Sequence, residues 1–170
     1  MRLTSKGRYA VTAILDIAIH QENGLVSVKD IAKRQNISES YLEQLLGRLR
    51  QAGLVSSQRG PGGGYSLKDE PSNVSVSLVI QAVGEGVDVT LCSGSGDCNN
   101  GDMCLTHNLW ASLSREIDRF LLKVTIDKLV QTNQDDVDNL LSGVSDSLIR
   151  VSSVGSVSYT HMTLPTKRIV

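Results

Sequence analysis

The chain has 170 residues, 40% hydrophobic but only 4% aromatic, enough for one domain plus an appendage held together by aliphatic helix packing. Residues 1–65 carry nine Lys/Arg against five Asp/Glu, net +4, whereas residues 66–170 carry eight against thirteen, net −5; a basic front half suits a nucleic-acid-binding head. The polar start from Met1 to Gly7, the break in the next apolar run at Asp16 and His20, and the lack of any stretch near the roughly 20 apolar residues that cross a bilayer argue for a cytoplasmic protein with no membrane partner.

Thr4 or Ser5 can cap a first helix, with Val11, Ile14, Leu15 and Ala18 at helical spacing up to Gly24. Ser27 with Asp30 three residues later forms a capping-box variant for a second, short helix that buries Ile31 and Ala32 and ends at Asn36. Ser38 or Ser40 starts a third, packed by Tyr41, Leu42, Leu45, Leu46 and Leu49 and closed by Gly53. Two helices joined by a turn of about four residues, the second longer, match helix-turn-helix spacing. Leu54–Ser57 and Tyr65–Leu67 flank Arg59-Gly60-Pro61-Gly62-Gly63-Gly64, a hairpin with a glycine-rich tip, the shape of a wing. Ser75 opens another helix bearing Val76, Val79, Ile80 and Val83, closed by Gly84.

A loop over about 88–107 follows, and then a long helix with Leu109, Leu113, Ile117, Phe120, Leu121 and Val124 on one stripe. Such a stripe needs a partner surface, which predicts a homodimer whose recognition helices read half-sites roughly 34 Å apart. The expected architecture is mainly α with a small β-hairpin: a winged helix-turn-helix head over 1–84, a ligand loop over 85–107, a dimerisation helix with a following short helix over 108–135, and a disordered tail over 136–170. Within that tail, Val157 to Thr166 resembles the conceptual translation of a tagmentation sequencing adapter, so about residues 150–170 are set aside as an assembly artefact.

The loop holds all three cysteines of the chain, Cys92, Cys98 and Cys104, and then His107, separated by five, five and two residues. An odd cysteine count in a cytosolic setting weakens a disulfide reading, and four soft or borderline donors on a flexible segment can converge on one metal centre. Three readings stand: unliganded thiols, a structural zinc site, and an iron–sulfur cluster. Zinc sites usually bring a Cys-x2–4-Cys knuckle, which is missing here, and a wider loop suits a two-iron cluster with two ligands on each iron. His20 and His161 have no cysteine neighbours.

On the third helix, Glu39, Ser40, Glu43 and Gln44 would reach base edges, with Arg48 and Arg50 further along. Glu43 is the unusual member: a carboxylate against a polyanion repels phosphate wherever no cytosine amino group greets it. Arg59, just before the tip, suits a narrow A·T minor groove. No nucleophile triad, paired carboxylates or nucleotide fingerprint appears, which argues against an enzyme. A ferredoxin-like carrier would explain a cluster but neither wing nor recognition helix.

The run Met1–Ala13, Ser40-Tyr41-Leu42-Glu43-Gln44-Leu45, Gly53-Leu54-Val55 and the Arg59–Tyr65 wing resemble the Rrf2 family over about residues 1–135, and Cys104-Leu105-Thr106-His107 is similar to the branch that regulates iron–sulfur cluster assembly. The resemblance implies a 2Fe–2S cluster on Cys92, Cys98, Cys104 and His107, supplied by the cluster assembly machinery. It implies contacts to double-stranded promoter DNA from Ser40, Tyr41, Glu43, Gln44, Arg59, Gly60, Pro61 and Gly62. It also implies a regulator that represses cluster-assembly genes when loaded and acts on a second promoter class when empty. A zinc-stabilised winged-helix repressor is the alternative.

Overall fold

The structure is a computed structural model that describes residues 5–90 and 92–132; the Ser/Gly-rich tail and its adapter-like end lie outside these residues. Six α-helices and one hairpin follow in order among the described residues: α1 Ser5–His20, α2 Val28–Gln35, α3 Glu39–Gln51, β1 Val55–Gln58, β2 Gly64–Leu67, α4 Val76–Ala82, α5 His107–Lys123 and α6 Ile126–Thr132. Mainly helical with a winged hairpin is the architecture the patterning predicts.

The helix-turn-helix unit forms for local reasons. Ser27 Oγ accepts the Asp30 N–H at 3.1 Å and donates to Asp30 Oδ2 at 2.7 Å, so Ser27 caps α2 as predicted, with the Asp30 carboxylate taking its hydroxyl instead of its backbone N–H. Asn36 takes the left-handed conformation at φ 52°, and its N–H closes on Ala32 O, which ends α2. Along α3, Leu42, Leu45, Leu46 and Leu49 recur at steps of three and four, and all four are buried. They pack with Ala10, Ala13, Ile14 and Ile17 of α1 and Ile31 of α2 in one core. Burying each leucine or isoleucine of this set is worth about 1.5–3 kcal/mol, which holds the recognition helix to its scaffold.

The wing pairs Val55 with Leu67 through Gln58 with Gly64, antiparallel. It does not stand alone: Val26 forms an isolated antiparallel bridge with Tyr65, with N–H···O distances of 2.9 and 2.8 Å. Leu67 N–H also donates to Gln21 Oε1 at 2.9 Å. This explains part of the glycine richness of the tip. A Cβ on Gly64 would lie 2.6 Å from Val26 O, and one on Gly63 would lie 2.4 Å from Gln58 O, so both positions admit only glycine for reasons internal to the fold.

The two last helices divide in a way the periodicity did not reveal. α5 touches the head mainly at α4, where Ser77 Oγ donates to Asp118 Oδ1 at 2.5 Å. Val124, read as the last member of the α5 stripe, lies past the helix end in extended backbone and is buried. There Val76 N–H donates to Val124 O and Ile126 N–H to Val74 O, both at 2.9 Å, which turns the chain back. α6, grouped by sequence with the dimerisation helix, therefore packs on α1 with Ile126 fully buried in the main core. α5 keeps Leu109, Trp110, Leu113, Phe120 and Leu122 exposed, Leu109 at 61%. No helix among the described residues is long and apolar enough to cross a membrane.

Candidate metal centre and nucleic-acid interface

After α4 the chain crosses an irregular segment whose turns are set by local chemistry. Between Cys98 and Cys104, Asn99 and Asp102 exchange both backbone hydrogen bonds (2.9 and 3.0 Å) across Asn100-Gly101. Both central residues have positive φ (51° and 98°), as a two-residue type I′ turn requires. That Asn-Gly pair folds the loop back and brings Cys104 beside Cys98; it was a readable turn signature that the description as plain loop passes over. At the other end His107 is the first residue of α5 and is 8% exposed, so one ligand candidate stands on a helix instead of in the loop.

Cys92 Sγ, Cys98 Sγ and a ring nitrogen of His107 lie within 4.8 Å of one another. The nitrogen facing the sulfurs is Nδ1, 3.4 Å from Cys92 Sγ and 3.5 Å from Cys98 Sγ. Cys104 stands next to this trio: its N–H donates to Cys98 Sγ at 3.1 Å, and its carbonyl accepts the His107 N–H at 3.0 Å. All three cysteines are free thiols. The hydrogen bonds favour thiolate at Cys92 and Cys104. At Cys92, burial works to raise the thiol, but the N–H of Gly96 together with Thr90, Cys98 and Gly94 outweighs it and brings the group to about 6. Cys104 is also lowered, first by its bond with Cys98, while Cys98 is held up by its two cysteine neighbours against the Cys104 N–H.

A second set of side chains, not singled out from sequence, fixes the loop to α5. Asp88 Oδ1 accepts both the N–H and the hydroxyl of Thr90 at 2.7 Å, bonds that hold its carboxyl below the usual range. Thr90 Oγ1 accepts the Gly94 N–H at 2.7 Å, and the Val89 N–H reaches Ser114 Oγ on α5 at 3.0 Å. Three sulfurs and one imidazole, with N–H groups already aimed at two of the sulfurs, form a donor set that fits an iron–sulfur cluster or a borderline metal ion.

The DNA-facing candidates gather elsewhere. A cleft of about 380 Å³ opens between the start of α2 (Ser27, Val28), the outer face of α3 (Glu43, Gly47, Arg50) and the hairpin (Ser57, Gln58, Arg59, Gly63, Gly64, Tyr65). Glu43 and Arg59 therefore share one cleft. Ser40 and Gln44 are exposed on α3, and Gly60, Pro61 and Gly62 are exposed at the tip, outside the cleft lining. Tyr41 is half-buried, its ring edge-on to Tyr9 at 6.0 Å, which leaves it partly committed to packing. The two arginines further along α3 diverge: Arg48 Nη1 donates to Val83 O at the end of α4, whereas Arg50 Nη1 donates to Ser57 Oγ and ties helix to wing.

Residues 3–132 match the Rrf2 family, described as iron-dependent transcriptional regulators. The chain is 57% identical over 138 residues to the HTH-type transcriptional regulator IscR of Klebsiella pneumoniae, covering 81% of this chain and 84% of that protein. It is 52% identical over 161 residues to the IscR of Photobacterium profundum, covering 95% and 91%. Among solved structures, T. potens IscR superposes with a TM-score of 0.64 at 34% identity, covering 78% of this chain and 88% of that one. CymR, the global cysteine regulator of B. subtilis, superposes with a TM-score of 0.66 at 30% identity, covering 77% and 97%. These relatives are regulators and not enzymes. With its wing, its recognition helix and its matched length, this chain belongs to the Rrf2 family of DNA-binding transcriptional regulators.

Proposed function

We propose that this regulator gauges iron–sulfur supply. Cys92, Cys98, Cys104 and His107 hold a 2Fe–2S cluster received from the assembly machinery. The loaded form represses cluster-assembly genes, and the empty form still acts on a second class of promoters. It works as a cytoplasmic homodimer joined through the apolar face of α5, gripping promoter DNA with Ser40, Tyr41, Glu43 and Gln44 on α3 and Arg59, Gly60, Pro61 and Gly62 on the wing. The observation that carries this reading is the convergence of two thiols and the His107 imidazole within 4.8 Å at the base of α5, on a fold whose head is a winged helix.

When bound, the cluster supplies a labile cross-link between the loop and the start of α5. Three thiolates and a neutral imidazole carry one negative charge less than four thiolates, and the imidazole bond is open to protonation. The chain's own contacts connect this place to the reading head. Ser114 anchors the loop on α5, Asp118 one turn later takes the Ser77 hydroxyl of α4, and the end of α4 offers Val83 O to Arg48 of α3. Ordering of the loop biases this set of contacts, and with it the cleft in which Glu43 sits.

Anaerobic purification tests the proposal. A red-brown protein with iron and acid-labile sulfide, whose loaded and empty forms give different footprints on candidate operators, supports it. A colourless protein with one zinc per chain supports the zinc-stabilised repressor instead, and identical footprints sink the sensing role.

A further inference from the structure

Thr106 is the N-cap of α5, yet its side chain makes no capping bond to the helix backbone, the usual employment of a threonine there. Its hydroxyl turns to two other groups. Trp110 Nε1 donates to Thr106 Oγ1 at 3.1 Å, and Cys104 Sγ lies 3.7 Å from the same oxygen. The indole N–H can only donate, so Thr106 Oγ1 accepts that bond and keeps its own proton for the sulfur. A cysteine that serves as a ligand is a thiolate, which can only accept. The direction of the relay is thereby fixed, from indole N–H to hydroxyl to sulfur. Each bond in such a chain polarises the next.

The other two sulfurs have backbone donors, Gly96 N–H on Cys92 and the Cys104 N–H on Cys98. Cys104 stands outside the tight trio, where its sulfur meets Cys98 and both the hydroxyl and the backbone of Thr106. We propose that Thr106 is a positioning residue for Cys104: held by Trp110, it donates to the Cys104 sulfur and keeps this fourth ligand in place beside the other three. The inference rests on the cluster reading above. It also brings its own reporter, because Trp110 is the chain's single tryptophan.

The experiment uses the full chain, loaded anaerobically with ferric iron and sulfide, as wild type, Thr106→Val and Thr106→Ser. Valine keeps the shape and removes the hydroxyl; serine restores it. The empty proteins are compared by Trp110 emission, and the loaded ones by the decay of visible absorbance in a chelator. The expected result is an emission shift in Thr106→Val but not in Thr106→Ser, with cluster loss about tenfold faster in the valine variant, the low end for removal of an outer-shell partner, and wild-type decay in the serine variant. Unchanged retention in Thr106→Val despite its emission shift overturns the proposal, as does a serine variant that decays like valine. A wild-type chain that takes up neither iron nor sulfide removes the cluster reading itself, a different result from a loaded wild type matched by its valine variant.

Discussion

Asp16 of α1 and Arg34 of α2 meet side-on, with Arg34 Nη2 donating to Asp16 Oδ1 at 2.6 Å and Nε to Oδ2 at 3.0 Å. Gln35 Nε2 adds a third bond at 2.7 Å, and the Asp16 side chain is fully buried. Burial alone would raise this carboxyl; the bonds from Arg34 and Gln35 and the nearby positive charge outweigh it and hold it below its ordinary 3.8. The group therefore favours the folded state above its unfolded value, and that contribution disappears as pH falls through the lower, folded value. Stability should be flat above about pH 5 and drop in acid, with a shallower acid limb in Asp16→Asn. Arg34→Ala should cost about 1–3 kcal/mol at neutral pH by leaving a buried charge short of donors. Urea titrations across pH check both outcomes.

Gly64→Ala should destabilise the wing. Its new Cβ would press on Val26 O at 2.6 Å, and relief requires parting the Val26–Tyr65 bridge. A loss of about 1–3 kcal/mol is expected by thermal melting, together with weaker operator binding.

Glu43→Ala should let the empty protein bind operators that otherwise require loading. The carboxylate lines the cleft with Arg50 and Arg59 and forms no ion pair among the described residues, so its removal leaves a cationic surface. A gain of about tenfold, equal to about 1.4 kcal/mol, is expected in a binding titration; the same discrimination as wild type would refute the role.

Arg59→Ala should weaken binding to both operator classes. If phosphate neutralisation dominates, the slope of log affinity against log salt shrinks by about one unit. Titrations at several salt concentrations measure it.

His107→Ala should lower iron content and visible absorbance of the anaerobically purified protein, since the imidazole stands 3.4 and 3.5 Å from two of the sulfurs. Retention in a chelator should shorten by at least about tenfold. An unchanged spectrum would count against its place in the ligand set.

The head was legible because its instructions are local. Ser27 finds Asp30 three residues away, Asn36 needs only its own backbone, and the α3 leucines repeat at helical steps. The four ligand candidates were legible as residue types at a spacing. What stayed hidden depends on distant partners. Asp16 read as an interruption of an apolar run because Arg34 lies 18 positions on. Gly63 and Gly64 read only as part of a glycine-rich wing tip, whereas Gly64 owes its identity to Val26, and Gly63 to the closeness of Gln58 O. Val124 fitted the α5 period by spacing, but its backbone pairs with Val76 and it ends the helix. Thr106 entered only as a member of the Cys104–His107 run, and its link to Trp110 stayed hidden, since a hydroxyl cap and an aromatic one turn later are common helix furniture.

The strand-like segment at Val26 has a mechanical result. By stitching the hairpin to the chain just ahead of α2, it ties the wing to the helix-turn-helix unit through two backbone hydrogen bonds. The join of α5 to α4, where Asp118 meets Ser77, stands about three helical turns from the ligand candidates at the start of α5.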